Sequence, residues 1–255
     1  MAAMREVKRI GLIVPSSNTT IETEVPRMLT RAGLDVDVTF HSSRAVLHSV
    51  DEESLERMVK DSDRCVRELS DARVDVIAYA CLVALMARGE RAHERLEREM
   101  REVAAANGAD VPIVSSAGAL IRTLQAGGVE RVAIMTPYMP ELTALVARYI
   151  EAYGVEVVDS VSLAVANNVE VGRLDPGGLA GHARGLDLSR AQMLIASACV
   201  QMPSLEVIGA LEEETGLPVI SAATATAAEL LDSLGLPRSV PGAGSLLSPD
   251  SPSRV

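Results

Sequence analysis

The chain has 255 residues, 48% of them hydrophobic, 23% charged and only 2% aromatic, a globular composition that excludes a disordered or fibrous protein. A formal net charge of −11 would meet phosphate backbones with repulsion, so no nucleic-acid partner is expected. With no Trp and one Phe, the core has to be built from Ala, Val, Leu, Ile and Met, the usual filling between helices and a buried sheet.

In chain order, the opening MAAMREVKRI lacks the apolar centre of an export signal. Arg9–Val14 (RIGLIV) reads as a first strand stopped by Pro15. Ser16, Ser17, Asn18, Thr19 and Thr20 then bring hydroxyls, an amide and helix-start N–H groups to the strand's carboxyl end, the makings of an anion cradle. An ordinary N-cap and turn reads equally well from these residues alone. Ile21, Val25, Met28 and Leu29 follow at helical spacing, and Val36–Phe40 is the next strand. In LERMVKDSDRCVREL, the spacing of Leu55, Met58, Val59, Val66 and Leu69 puts Cys65 on or beside an apolar helix face, as a structural residue. Val74–Ala80 is a third strand inside the longest apolar run, Val76 to Ala87, whose 12 residues fall short of the ~20 of a membrane span.

Arg88 to Glu102 reads as a solvated helix face with Glu94 and Arg98 one turn apart. Pro112–Ser115, Arg131–Thr136, Val155–Val158, Met193–Ser197 and Pro218–Ser221 complete the strands, with helical patterns between most of them. Gly127-Gly128 and Gly177-Gly178 read as turns, and the Pro/Ser/Gly-rich stretch 241–255 as a disordered tail. His41, His48, His93 and His182 show no metal spacing and are expected in surface or capping roles; no metal is indicated. Neither a Walker loop nor G-x-G-x-x-G occurs, so no nucleotide cofactor is called for. Three sparse cysteines suit a reducing cytoplasm.

Self-comparison organises these segments. RIGLIVP (9–15) resembles RVAIMTP (131–137), VDVIAYAC ending at Cys81 resembles QMLIASAC ending at Cys199, and VPIVSSA from Val111 resembles LPVISAA from Leu217. The expected fold is therefore α/β with two pseudo-symmetric lobes, each a parallel sheet flanked by helices: residues 1–116 plus 222–240 in the first lobe and 117–221 in the second. Open α/β sheets bind ligands beyond the carboxyl ends of their strands, so Cys81 and Cys199 are expected to face each other across one cleft. A single strand-end cysteine is more often a small core residue, but two at repeat-equivalent positions favour chemistry. Each precedes a helix, whose N-terminal amides would favour thiolate. Paired thiols suit either two-base proton transfer or covalent addition by one with proton handling by the other. Tyr138, the repeat mate of the Ser16-Ser17 segment, can offer its phenol to a carboxylate. Of Asn167 and Asn168, at least one belongs to a turn and the other is free to reach a ligand.

Together, GLIVPSSNTTIETEVP, AYACLVALM, MTPYMPELT, VANNVEVG and ASACVQMPSLE resemble the maleate isomerases, cis–trans isomerases of the Asp/Glu racemase superfamily, over about Arg9 to Leu236. The resemblance implies a cofactor-independent, homodimeric enzyme converting maleate to fumarate. By motif, Cys81 would be the nucleophile and Cys199 its acid/base partner. Asn18, Tyr138 and Asn168 would hold the dicarboxylate, with Ser16, Ser17, Val83 and Val200 around it. Superfamily racemases carry polar residues beside both cysteines where this chain reads Ala-Cys-Leu-Val and Ala-Cys-Val-Gln, and arylmalonate decarboxylases typically keep only the second cysteine. The alternatives are thus a racemase or decarboxylase of the same superfamily, or a non-catalytic dicarboxylate-binding protein.

Overall fold

All eight expected strand segments form strands in the computed structural model, which describes residues 5–249. The first sheet comprises β1 (Val7–Pro15), β2 (Asp37–Ala45), β3 (Val76–Tyr79) and β4 (Ile113–Ser115), and the second β5 (Arg131–Thr136), β6 (Glu156–Ser162), β7 (Met193–Ser197) and β8 (Val219–Ser221). Their orders, β2-β1-β3-β4 and β6-β5-β7-β8, are the same plan twice, and every pairing is parallel. The sequence repeat is therefore a repeat of topology. The inner strands β3 and β7 are buried throughout, which is why they read as unbroken apolar runs. β2 and β6 run several residues beyond the expected apolar segments, because as edge strands they carry polar, partly exposed residues that hydrophobicity does not mark.

Helices cover the sheets: α1 (Ile21–Arg31), α2 (Glu52–Asp71), α3 (Leu82–Met86), α4 (Ala92–Ala106), α5 (Ser116–Ala126), α6 (Pro140–Glu151), α7 (Asn168–Val171), α8 (Pro176–Ala183), α9 (Ile208–Thr215) and α10 (Ala222–Ser233). The repeated Pro-aliphatic-aliphatic-Ser segments end in equivalent caps: Ser115 accepts from the Gly118 N–H at the start of α5, and Ser221 from the Thr224 N–H at the start of α10. These two helices pack together, joined by a hydrogen bond from the Thr226 hydroxyl to Ser116. α10 also contacts α1 and strands of both sheets, which places this Ala-rich helix where the two halves meet. Small side chains let it approach so many neighbours.

Three expectations need correction. The tail expected to be disordered packs as far as it is described: Ala243 and Leu247 are fully buried, Val240 donates to the Leu247 carbonyl, and Ser245 is tied to the Glu212 carboxylate; residues 250–255 lie outside the described residues. A few apolar residues in a polar stretch suffice to pin it. His93, expected in a surface or capping role, is buried with Nδ1 2.6 Å from the Tyr149 hydroxyl and its ring tilted against Tyr153 at 5.4 Å, joining α4 to α6. The face from Arg88 to Glu102 is not wholly solvated either, since Glu97 is buried against Ser115 and Arg122, while Glu94 pairs with Arg91.

Candidate active site

The chain connections after β1, β3, β5 and β7 converge at the carboxyl ends of the two sheets. Cys81 stands two residues past β3 and Cys199 two residues past β7. Both line one narrow cavity of about 20 Å³, with Asn18, Val83, Tyr138, Asn168 and Val200 also in its wall. Seven of the nine residues expected at a site are therefore brought together. Ser16 and Ser17 stand behind the wall: the Ser16 hydroxyl accepts from the Leu47 N–H at 3.0 Å, and the Ser17 hydroxyl accepts from the Asn168 side-chain amide at 2.6 Å. They hold the wall rather than form it. A second cavity of about 270 Å³ adjoins the first, sharing Val50, Tyr138 and Asn168.

Asn18 is fully buried, and the local chain explains its orientation. Its Oδ1 accepts from the backbone N–H of Thr20 at 2.9 Å and of Ile21 at 3.2 Å, capping α1 in place of Thr20, whose side chain makes no cap. Those two donors fix which end of the amide is oxygen. Nδ2 is left as a buried donor without a partner. An unmet donor in a cavity wall is costly unless a ligand acceptor meets it. Asn167 plays the turn role, accepting from the Val169 N–H, while Asn168 turns inward.

Neither thiol is poised as thiolate in the cavity wall. Burial, with a smaller contribution from the charge of Cys199, pushes Cys81 up to about 12 and outweighs the Ala84 amide of α3. Burial likewise raises Cys199, against the pull of the Tyr138 phenol and the Gln201 and Met202 amides. At Cys81 the expected helix-start effect is present but loses, since a five-residue helix supplies one amide and desolvation outweighs it, whereas Cys199 is followed by a turn and loop and not by the expected helix. Tyr138, hydrogen-bonded to Cys199, is held well above the ordinary phenol range by burial and by the nearby thiols, so it remains a donor.

Gln201 was not anticipated. Its side-chain amide donates to the carbonyls of Ser17 and Asn168, and its backbone N–H lies 3.4 Å from the Cys199 sulfur. Its place two residues beyond a repeat-matched cysteine was the available signal. Leu47 and Val50, from the β2–α2 connection, also line the cavity, although nothing in their local sequence marks them. Among the described residues no group of His, Cys, Asp or Glu has the arrangement of a metal centre, and no helix is long and apolar enough to cross a membrane. A roomier cavity of about 470 Å³ lies at the amino ends of β7 and β8, but it holds no cysteine, and its Arg122 and Arg238 are already paired with Glu97 and Asp232.

Comparison with known proteins finds relatives over nearly the whole chain. The arylmalonate decarboxylase family model matches residues 10–247. A maleate isomerase of Geobacillus stearothermophilus is 51% identical over 243 residues, 94% of this chain and 97% of that one. The structure of a cysteine-to-alanine variant of the Pseudomonas putida S16 maleate isomerase with maleate superposes with a TM-score of 0.94 at 47% identity, covering 96% of this chain and 99% of that one. A cysteine-to-serine variant of the Nocardia farcinica maleate cis-trans isomerase, with a covalently bound succinylcysteine intermediate, gives 0.93 at 47% identity, covering 96% and 100%. Arylmalonate decarboxylase itself, at 21% identity and a TM-score of 0.76 over 94% of this chain and 98% of that one, shares the fold. With a family model spanning most of its length and full-length relatives near half identity, the chain belongs to the arylmalonate decarboxylase family, in the group formed by the maleate isomerases.

Proposed function

We propose that this protein isomerises maleate to fumarate by reversible addition of the Cys81 thiolate, with Cys199 handling the proton. The observation that carries this reading is the pairing of two thiols at repeat-equivalent strand ends in one cavity with the unpartnered Asn18 amide. The succinylcysteine in the Nocardia variant supports it, because there a sulfur holds the adduct although another cysteine has been replaced.

The steps balance without any external reagent. Cys81 passes its thiol proton to the carboxylate on the attacked carbon, which returns it when the C–S bond breaks; its sulfur bonds to that alkene carbon, and the π electrons move to the neighbouring carbon and its carboxylate. Cys199 delivers its proton to that carbon, leaving a succinyl thioether on Cys81 and a thiolate on Cys199. The former double bond is now single and rotates. Cys199 takes the proton back, the C–S bond breaks, and fumarate leaves with both sulfurs as they began. Negative charge is greatest on the carboxylate during addition, where Asn18 Nδ2 is an unpartnered donor and the Tyr138 hydroxyl turns from Cys199 to donate. Apolar Val83, Val200, Leu47 and Val50 keep water from the intermediate. Homodimer formation and a cytoplasmic location go with this reading, on the family resemblance.

Proton NMR of maleate mixed with the purified protein tests the proposal. The fumarate signal should grow with wild type and stay absent with folded Cys81→Ser, since an alcohol ionises and adds far less readily than a thiol. No fumarate from folded wild type, or undiminished production by the serine variant, would overturn it.

A further inference from the structure

Glu24 lies on the apolar face of α1, between Ile21 and Val25, and is almost fully buried. A carboxylate there needs partners. It finds them in the other half of the molecule: Oε1 accepts from the backbone N–H of Ser204 at 2.7 Å and of Leu205 at 2.8 Å. Both donors end the loop that begins at Cys199. The start of that loop is fixed separately, with the Ser197 hydroxyl donating to the Cys199 carbonyl at 2.7 Å and to the Met202 carbonyl at 3.2 Å. In the middle, the Gln201 amide ties it to Ser17 and Asn168. Glu24 gives the far end its buried tie to α1, whereas Arg31 reaches the next residue, Glu206, from the exposed side at 2.9 Å.

The same helix begins at the turn that Asn18 caps, and Asn18 lines the cavity with its Nδ2 unpartnered. One rigid element therefore carries a substrate donor at its first turn and the anchor of the Cys199 loop a turn later. We infer that Glu24 is a positioning residue, which sets Cys199 against Asn18 across the two lobes by clamping the Ser204 and Leu205 amides. This rests on the isomerase reading of the site, but the clamp itself is testable without maleate. Burial works against the ionised carboxyl while the two amides favour it, as expected of a group kept for its acceptor oxygen. Arg27 and Glu206, the charged neighbours, pair with each other at 3.7 Å.

The test compares Glu24→Ala, Glu24→Asp and Glu24→Gln with Met58→Ala, a core truncation on the outer helix α2. Alkylation of each cysteine by iodoacetamide is followed by peptide mass spectrometry, beside maleate kinetics, below the melting temperature of every variant. In Glu24→Ala, Cys199 alkylation should change about five-fold or more while Cys81 stays within about two-fold, and kcat should fall about ten-fold or more with KM within about three-fold. Glu24→Asp, one methylene too short to reach both amides, should show the same split if the alanine variant fails to fold. Glu24→Gln keeps Oε1 and should restore both readouts. Met58→Ala should lower the melting temperature alone. If the alanine or aspartate variant loses stability without the Cys199-selective change, or if glutamine fails to rescue, the positioning role is refuted. A Cys199-selective change in a protein that does not turn over maleate would leave the clamp standing and remove the isomerase reading.

Discussion

Oδ1 of Asn18 caps α1 while its Nδ2 is the donor assigned to the substrate in the proposed reaction, and Asn18→Asp separates the two. The replacement has the same shape and keeps Oδ1 as acceptor for the Thr20 and Ile21 N–H groups, so α1 remains capped; Asn and Asp are nearly equal as N-caps. Only the unpartnered Nδ2 changes, from a buried N–H donor to a carboxylate oxygen. Loss of a preorganised donor commonly costs about 3 kcal/mol of transition-state stabilisation. The new charge, about 4 Å from a substrate carboxylate at an effective dielectric near 20, adds roughly 4 kcal/mol of repulsion. At about 1.4 kcal/mol per ten-fold change, the donor alone accounts for about 10²-fold in kcat/KM and the two together for about 10⁵-fold. The melting temperature should fall at neutral pH, because one oxygen of a fully buried carboxylate has no donor, and recover as pH falls. Because burial raises a carboxyl's pKa, activity should recover partly as pH falls and the introduced carboxylate regains a proton to donate. Asn18→Ala loses the donor and the cap together, lowering both activity and stability, the latter by about 1 kcal/mol. The assay is steady-state kinetics from pH 5 to 8 beside thermal melts. A folded Asn18→Asp variant within ten-fold of wild-type kcat/KM would show that Nδ2 does not meet the substrate.

Cys81, pushed up to about 12, should be alkylated by iodoacetamide ever faster from pH 7 to 10 with no plateau; a plateau below pH 8 would mean an ionised thiol. The same shift works against the fold in alkali. The unfolded thiol ionises near 8.5, so this group costs nothing below about pH 8 and destabilises the folded state progressively as pH rises towards 12, which alkaline melts should record. Cys65→Ala removes a buried sulfur from α2, away from the cavity wall; it should leave kcat within about three-fold and lower stability by about 1 kcal/mol, and a large loss of activity at unchanged melting temperature would contradict its structural role. Gly244 sits at φ +83° and ψ 178°, where a Cβ would come within 2.6 Å of Ile208. Gly244→Ala should therefore cost about 2–5 kcal/mol and several degrees in the melt, and an unchanged melt would show that the segment around Leu247 is not docked.

The sequence made the architecture readable because both halves spell the same strand ends, and a parallel sheet buried on two faces writes itself as apolar runs. Cys81 and Cys199 could be matched for that reason. What stayed hidden depends on contacts far apart in the chain. Glu24 and Glu97 look like surface charges until their partners, Ser204, Leu205, Ser115 and Arg122, are brought to them by the fold. A trace was available: Ile21, Glu24, Val25 and Met28 share one helix face, as do His93, Leu96, Glu97 and Met100, so each polar residue interrupts an apolar stripe. The cavity roles of Leu47 and Val50 left no such trace. Thiol ionisation at Cys81 was misjudged because helix position can be read from sequence, whereas the depth of burial that outweighs it cannot.

The scarcity of aromatic side chains gives the molecule a simple optical signature. With no Trp, its near-ultraviolet absorbance, circular dichroism and intrinsic emission arise almost wholly from four tyrosines. Tyr138 stands in the cavity wall beside Cys199, Tyr79 is fully buried as the last residue of β3, and Tyr149 and Tyr153 share the seam with His93, their ring centroids 5.7 Å apart. Ligand entry, loss of the first core and parting of the α4–α6 seam would thus each change a different chromophore. Single Tyr→Phe replacements can assign the bands one by one, turning an unlabelled solution of the protein into a reporter on its own site and seam.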